Sequence, residues 1–242
     1  MTHRCHNRAF LLKFARDREA YRGILREHLE ECEVWLLDYC VTSNHVHLLL
    51  DAEDRLQISQ LMRNAAGEFA RAYNRRKGRM NAFWGDNFHA TLVEEGRYLW
   101  RCLCYVELNM VRCGVVSHPQ EWEWLGYHEI MGRRRRYRLL DLDRLHWRMA
   151  TDDAEEIRHN LEAALSDAIA RGELKREPIW TESLAVGSAE FVGKIKPMVL
   201  TRRETGVTEI ENGMNVLQEV PSPYGQETSP KSGREAKGVG AE

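Results

Sequence analysis

Tyr39-Cys40-Val41-Thr42-Ser43-Asn44-His45-Val46-His47-Leu48-Leu49-Leu50 reads as a pair of buried strand segments joined by a tight Thr-Ser-Asn turn. Alternate side chains of a strand share a face. His45 and His47 therefore point one way while Val46, Leu48 and Leu50 point the other. Two imidazoles on one face of an apolar strand are costly to bury without partners, and a divalent metal is a partner that suits this spacing. The pair also fits a strand in which one ring bonds a carboxylate and the other faces water. Taken alone, it leaves both readings open.

Working outward, residues 33–41 and 45–51 form a hairpin. Residues 2–12 are compatible with an earlier strand carrying Arg4 and Arg8, and Asp17 can cap a helix over 17–30. A long helix over 58–76 buries Ile58, Leu61, Met62, Ala65, Phe69 and Tyr73. It ends at Gly78 in a basic cluster of Arg71, Arg75, Arg76, Lys77 and Arg79. A strand over 88–94 and a helix over 96–112, stopped at Gly114, complete the pattern. The order strand, helix, strand, strand, helix, strand predicts an α+β, ferredoxin-like fold: one antiparallel sheet with helices on one face.

Beyond it lies a helical C-terminal appendage. Residues 1–132 are read as one domain and 133–200 as a basic, helical extension with a helix over 153–171. Residues 201–242 are rich in Gly, Glu, Ser and Pro, and are expected to be a disordered tail.

The helix over 96–112 carries the second chemical signal. At roughly 100° per residue, Tyr98, Arg101, Asn109 and Arg112 fall within about 40° of the line through Tyr105. Leu103, Val106 and Met110 fall elsewhere and can pack. A solvated helix face more often carries Lys and Glu, so two arginines, two tyrosines and an amide point to an anionic ligand.

Net charge is −2, yet it averages unlike halves. Residues 1–150 hold 24 Lys+Arg against 20 Asp+Glu, and the remainder 11 against 17. The Arg133, Arg134, Arg135 and Arg136 run is expected to contact nucleic-acid backbone, because adjacent arginines repel one another without an anion. Trp122 and Trp124 are expected to pack, and His89 to be structural. Six cysteines without a C-x-x-C pair fit reduced thiols in the cytoplasm rather than a disulfide framework. Residues 1–8 are too polar for a signal peptide, and no stretch has the ~20 apolar residues of a membrane span.

Ser43-Asn44-His45-Val46-His47-Leu48-Leu49 and Tyr105-Val106-Glu107-Leu108-Asn109-Met110-Val111-Arg112 together resemble the signatures of the HUH-class tyrosine transposases. The resemblance is to the branch associated with repetitive extragenic palindromes, the RAYT proteins. Phe69-Ala70-Arg71-Ala72-Tyr73-Asn74 and Phe83-Trp84 also match that pattern, and the likeness runs over about residues 3–132. It implies His45, His47 and Asn109 as ligands of Mg²⁺ or Mn²⁺, and Tyr105 as the nucleophile that cuts single-stranded DNA. It further implies a 5′-phosphotyrosine intermediate, hairpin DNA from palindromic repeats as partner, and a monomer or homodimer working in the cytoplasm at the nucleoid. Arg4, Arg8, Arg71, Arg75, Arg76, Lys77, Arg101, Arg112 and Arg133–Arg136 are the candidate DNA contacts.

Met110 stands where the family pattern has proline, Cys113 where it has alanine and Asn87 where arginine is common. Two other readings therefore accompany the first: a hairpin-binding protein whose catalysis has decayed, and a metal phosphodiesterase that uses water.

Overall fold

The computed structural model describes residues 1–201 and 203–220. Its elements run β1 (Thr2–Arg4), α1 (Ala15–Glu31), β2 (Trp35–Val41), β3 (His45–Asp51), α2 (Arg55–Lys77), β4 (Leu92–Val93), α3 (Arg97–Glu107) and α4 (Asn109–Arg112). There follow α5 (Tyr127–Ile130), α6 (Leu142–Arg148), α7 (Ala154–Arg171), α8 (Ile179–Glu182), β5 (Ala185–Gly187), α9 (Ala189–Ile195), β6 (Thr205–Glu209) and β7 (Asn215–Glu219). The fold is α+β.

The first sheet has the order β1-β3-β2, antiparallel throughout. Its register sets Thr2 beside His47 and Arg4 beside His45 on one side, and Cys40 beside His47 on the other. The expected fourth strand is reduced to single antiparallel bridges, Thr2 with His89 and Cys5 with Trp84. The stretch is short here because Leu92 and Val93 leave this sheet to pair in parallel with β5.

The period-2 pattern of the hairpin sorts its neighbours. Tyr39, Val41, Val46 and Leu48 are all buried on one face. There α1 and α2 pack, with Tyr21 edge-on to Phe69 at 5.3 Å and Arg22 Nε donating to the Tyr39 hydroxyl. The opposite face carries Asp38, Cys40 and both histidines, and it receives α3.

An Asp54–Gln57 capping box starts α2 and Gly78, at φ +62°, ends it, a left-handed position that glycine adopts without cost. The chain after α4 runs along the free edge of β2. Val41 N donates to the Trp124 carbonyl, Gly126 N to that of Tyr39 and Asp141 N to that of Leu36. Gly126 is required here, since a Cβ would lie 1.9 Å from Asp38 Oδ1 and 3.3 Å from Tyr39 N.

Arg144 and Arg148 on α6 both bind Asp51 at the end of β3. Helix α7, capped by Asp153, packs on α3.

A second sheet has the order β4-β5-β7-β6. This corrects the expectation of disorder from residue 201: β6 and β7 form a hairpin, and β7 pairs with β5. Val216 and Leu217 are fully buried beside Ala185, Val186 and Val192. The polar average over 201–242 hid this short apolar stretch. Residue 202 and residues 221–242 of the expected tail lie outside the described residues. No helix among the described residues is long and apolar enough to cross a membrane.

Candidate active site and metal centre

His45 and His47 leave β3 side by side, their rings 4.8 Å apart and nearly perpendicular. The strand register supplies the groups that hold each ring. Thr2 Oγ1 lies 3.0 Å from His47 Nδ1, while Asn44 Oδ1 lies 2.7 Å and Thr42 Oγ1 3.0 Å from His45 Nδ1. An amide oxygen only accepts, so His45 Nδ1 carries the proton and Nε2 keeps its lone pair. Partners of this kind fix the tautomer of metal-binding histidines.

Burial, reinforced by the charges of Arg4 and Arg112, lowers His45 to about 4. Burial first, and the neighbouring His45 second, holds His47 well below the ordinary imidazole range. Both rings are therefore neutral at pH 7, the form that binds metals.

Asn109 arrives from the other side. The helix expected over 96–112 breaks at Leu108, whose ψ is 3°, into α3 and α4. Asn109 is 4% exposed, with its side-chain nitrogen 3.0 Å from His47 Nε2. Its Oδ1 is buried and has no hydrogen-bond partner among the described residues. An orphaned buried carbonyl oxygen costs about 1–3 kcal/mol, and beside two neutral imidazoles it completes a donor set suited to a divalent cation. Among the described residues no group of three or more His, Cys, Asp or Glu side chains gathers into a metal cluster. An asparagine amide oxygen is not among those four donor types.

Tyr105 is buried, with its ring 6.2 Å from that of His47. Arg112 folds back over it: the guanidinium carbon sits 4.0 Å from the ring centroid and both terminal nitrogens reach the Tyr105 carbonyl at 3.3 Å. Burial pushes the Tyr105 hydroxyl above its ordinary value, and Arg112 and Arg176 oppose that rise. Behind the tyrosine, Asp38 and Glu107 meet fully buried. Burial raises Asp38 to about 8 and Glu107 well above the carboxylate range, so the two carboxyls share protons rather than charges.

The other candidates divide. Arg4 and Arg8 are exposed on a cleft of about 800 Å³ that Thr2, Asn87, His89 and Arg176 also line. Arg101 turns outward to Glu177 at 3.2 Å. Arg71, Arg75 and Lys77 are exposed at the end of α2, where Arg76 pairs with buried Asp17. Of the arginine run, Arg135 and Arg136 are exposed and Arg133 lies over the Tyr127 ring. Arg134 instead donates to the Tyr39 hydroxyl and the Glu123 carbonyl. It is a structural group rather than the free anion contact the run suggested. Tyr98, the other tyrosine of that helix face, has its hydroxyl held by Arg97 and the Gly213 carbonyl. His89 bonds the Ser183 carbonyl.

Sequence reasoning missed the groups that reach Tyr105 from the extension. The Trp180 ring lies 6.4 Å from it, and the neighbouring Thr181 side chain opposes the rise of its hydroxyl. No spacing signal ties residues 75 apart. Thr2 was missed because it is one hydroxyl in a short strand.

Comparison with known proteins follows this geometry. The family model described as "Transposase IS200 like" matches residues 1–109. A solved structure, the REP-associated tyrosine transposase bound to a REP hairpin, is 16% identical, with 55% of this chain and 77% of that one covered and a TM-score of 0.46. No curated protein matches. The segment this chain shares with the IS200-like transposases thus holds His45, His47 and Tyr105 and ends on Asn109 itself.

Proposed function

We propose that this protein cuts and rejoins single-stranded DNA beside hairpins, with Tyr105 as nucleophile and Mg²⁺ or Mn²⁺ held by His45, His47 and Asn109. The observation that carries the reading is the buried Asn109 amide, its nitrogen 3.0 Å from His47 Nε2 and its Oδ1 without a partner among the described residues, with the Tyr105 ring 6.2 Å from that of His47. The transposase likeness of residues 1–109, and a structural relative solved with a REP hairpin, are in keeping with it.

When bound, the cation would polarise the phosphoryl oxygens and orient the scissile group. The chain does the rest. Arg112 stabilises negative charge growing on the Tyr105 oxygen through the ring it covers. The phenolate attacks phosphorus, a Tyr105 O–P bond forms, and the P–O3′ bond breaks. The leaving 3′-oxygen takes up a proton, and the downstream strand stays on Tyr105 through its 5′-phosphate. Attack by a 3′-hydroxyl reverses the step, so the phosphodiester is kept for rejoining instead of being lost to water. Arg4 and Arg8 hold backbone phosphates along the cleft. Such an enzyme works in the cytoplasm, at the nucleoid.

The test is incubation with end-labelled hairpin oligonucleotides and Mn²⁺ or Mg²⁺, followed by denaturing electrophoresis. Label on the strand bearing the new 5′ end should move with the protein, and Tyr105→Phe should abolish it. Cleavage without that covalent band would establish the water-using reading. Binding without cleavage on any hairpin would establish the decayed one.

A further inference from the structure

Phe10 and Phe14 are 67% and 52% exposed, although they belong to a stretch fixed on both sides. Leu12 between them is fully buried, its amide donating to the Ser43 carbonyl. Arg18 holds the Lys13 carbonyl and also reaches Ser43. Asn44 donates to the Arg8 carbonyl, and Cys5 N donates to that of Asn44. The segment carrying the two rings is thus bolted to the turn that leads into His45. It begins where Arg4, Asn7 and Arg8 leave the wall of the cleft of about 800 Å³, which Thr2, the partner of His47, also lines.

The surroundings of the rings are cationic rather than apolar. The Lys77 ammonium lies 5.2 Å from the Phe14 centroid and that of Lys13 lies 6.0 Å away. Among the described residues Arg8, Lys13 and Lys77 have no carboxylate within ion-pair distance. Two phenyl faces held rigidly in water, with unneutralised cations beside them, match a ligand with aromatic faces and a polyanionic backbone. That combination is an unpaired nucleic-acid strand, whose bases expose the faces that a duplex hides.

Resting on the function proposed above, we propose that Phe10 and Phe14 form a stacking platform for unpaired bases of the DNA strand that enters the cleft beside His45. Arg8, Lys13 and Lys77 hold the phosphates of those nucleotides. The platform reads no sequence, because every base offers a face to stack on. It selects for single-strandedness beside the hairpin.

The test uses the full chain, without divalent metal, and fluorescence anisotropy on two hairpins. One carries an unpaired flank of about eight nucleotides, within the span such grooves cover; the other carries the same flank with its bases removed. The wild-type protein should bind the first about tenfold more tightly, given that one stacked base is worth roughly a fivefold or greater change.

Phe10→Ala/Phe14→Ala should lose about that factor on the normal flank and nothing on the abasic one. Phe10→Tyr/Phe14→Tyr should keep it, and Phe10→Leu/Phe14→Leu, which preserves bulk, should lose it. Equal losses on both hairpins, no loss on the normal flank, or retention by the leucine pair would overturn the platform while leaving DNA binding standing. So would an alanine variant that changes only self-association in sedimentation. A wild-type protein that binds neither hairpin would overturn both the platform and the function it rests on.

Discussion

Asn109 presents its amide nitrogen to His47 Nε2 at 3.0 Å while its oxygen stays buried and unpartnered among the described residues. That arrangement joins two elements distant in sequence, the strand after the hairpin turn and the short helix after the Leu108 break. Folding leaves the oxygen unsatisfied, so a cation that accepts it should repay the protein in stability. Saturating Mn²⁺ should raise the melting temperature of the wild-type chain; a ligand at a hundred times its Kd contributes about 2.7 kcal/mol. Asn109→Ala and His47→Ala should reduce the shift strongly. A shift of unchanged size in both, read by scanning calorimetry with and without Mn²⁺, would remove these residues from the metal site.

Arg112 lies over the Tyr105 ring and donates to the Tyr105 backbone carbonyl. Arg112→Gln should slow formation of the covalent adduct by about tenfold, in keeping with a partly desolvated cation–π contact of 0.5–2 kcal/mol. Arg112→Lys should restore little, since an ammonium cannot stack and fork at once. Single-turnover kinetics on a labelled hairpin would measure this, and an unchanged rate in Arg112→Gln would end the argument.

Stability should fall as pH rises through neutrality. Burial raises Asp38 from 3.8 in the open chain to about 8 in the fold, so the folded state holds the proton longer than the unfolded one. The contribution is full below about pH 4, declines above it and is gone past about pH 8. The slope can reach about 1.4 kcal/mol per pH unit for each proton. Below about pH 6.5 the buried His45 and His47 oppose this slope, since they take up protons on unfolding. Urea melts of the wild type and of Asp38→Asn/Glu107→Gln between about pH 6.5 and 8 should therefore show the slope in the first and a flatter line in the second. A wild type as stable at about pH 8 as at about pH 6.5 would contradict the raised carboxyls.

The arginine run should split by experiment as it does in space. Arg134→Gln breaks bonds to Tyr39 and Glu123 and should lower stability by about 1–3 kcal/mol with little effect on the salt dependence of DNA binding. Arg135→Gln/Arg136→Gln should leave melting unchanged and reduce the slope of log affinity against log salt by as much as about 1.8. The reverse pattern would show that the run is read wrongly.

The gathering of His45, His47, Tyr105 and Asn109 was legible because its signals are local. Alternation placed His45 and His47 on one face, and helical rotation put Tyr105 and Asn109 on one side of α3 and α4. The break at Leu108 was not legible, since nothing in Glu107-Leu108-Asn109 stops a helix by propensity. Nor was the union of Tyr105 with Trp180 and Thr181, which rests on packing between distant segments. The inward turn of Arg134 was hidden for a similar reason. Four like residues in a row look equivalent until one finds Tyr39. The β6–β7 hairpin was lost to averaging, a few apolar residues in a polar stretch.

The pairing of β4 with β5, and of β5 with β7, has a consequence for the timing of synthesis. A nascent chain that has left the ribosome as far as Asn109 already owns its two imidazoles, its tyrosine and its amide. It does not yet own Gly213, whose carbonyl receives the Tyr98 hydroxyl at the start of α3, or the strand that closes the second sheet. The helix bearing Tyr105 gains the Gly213 carbonyl as a partner for its first turn only when that residue emerges. A half-made chain would hold α3 against β2 without the second sheet's hold on its first turn.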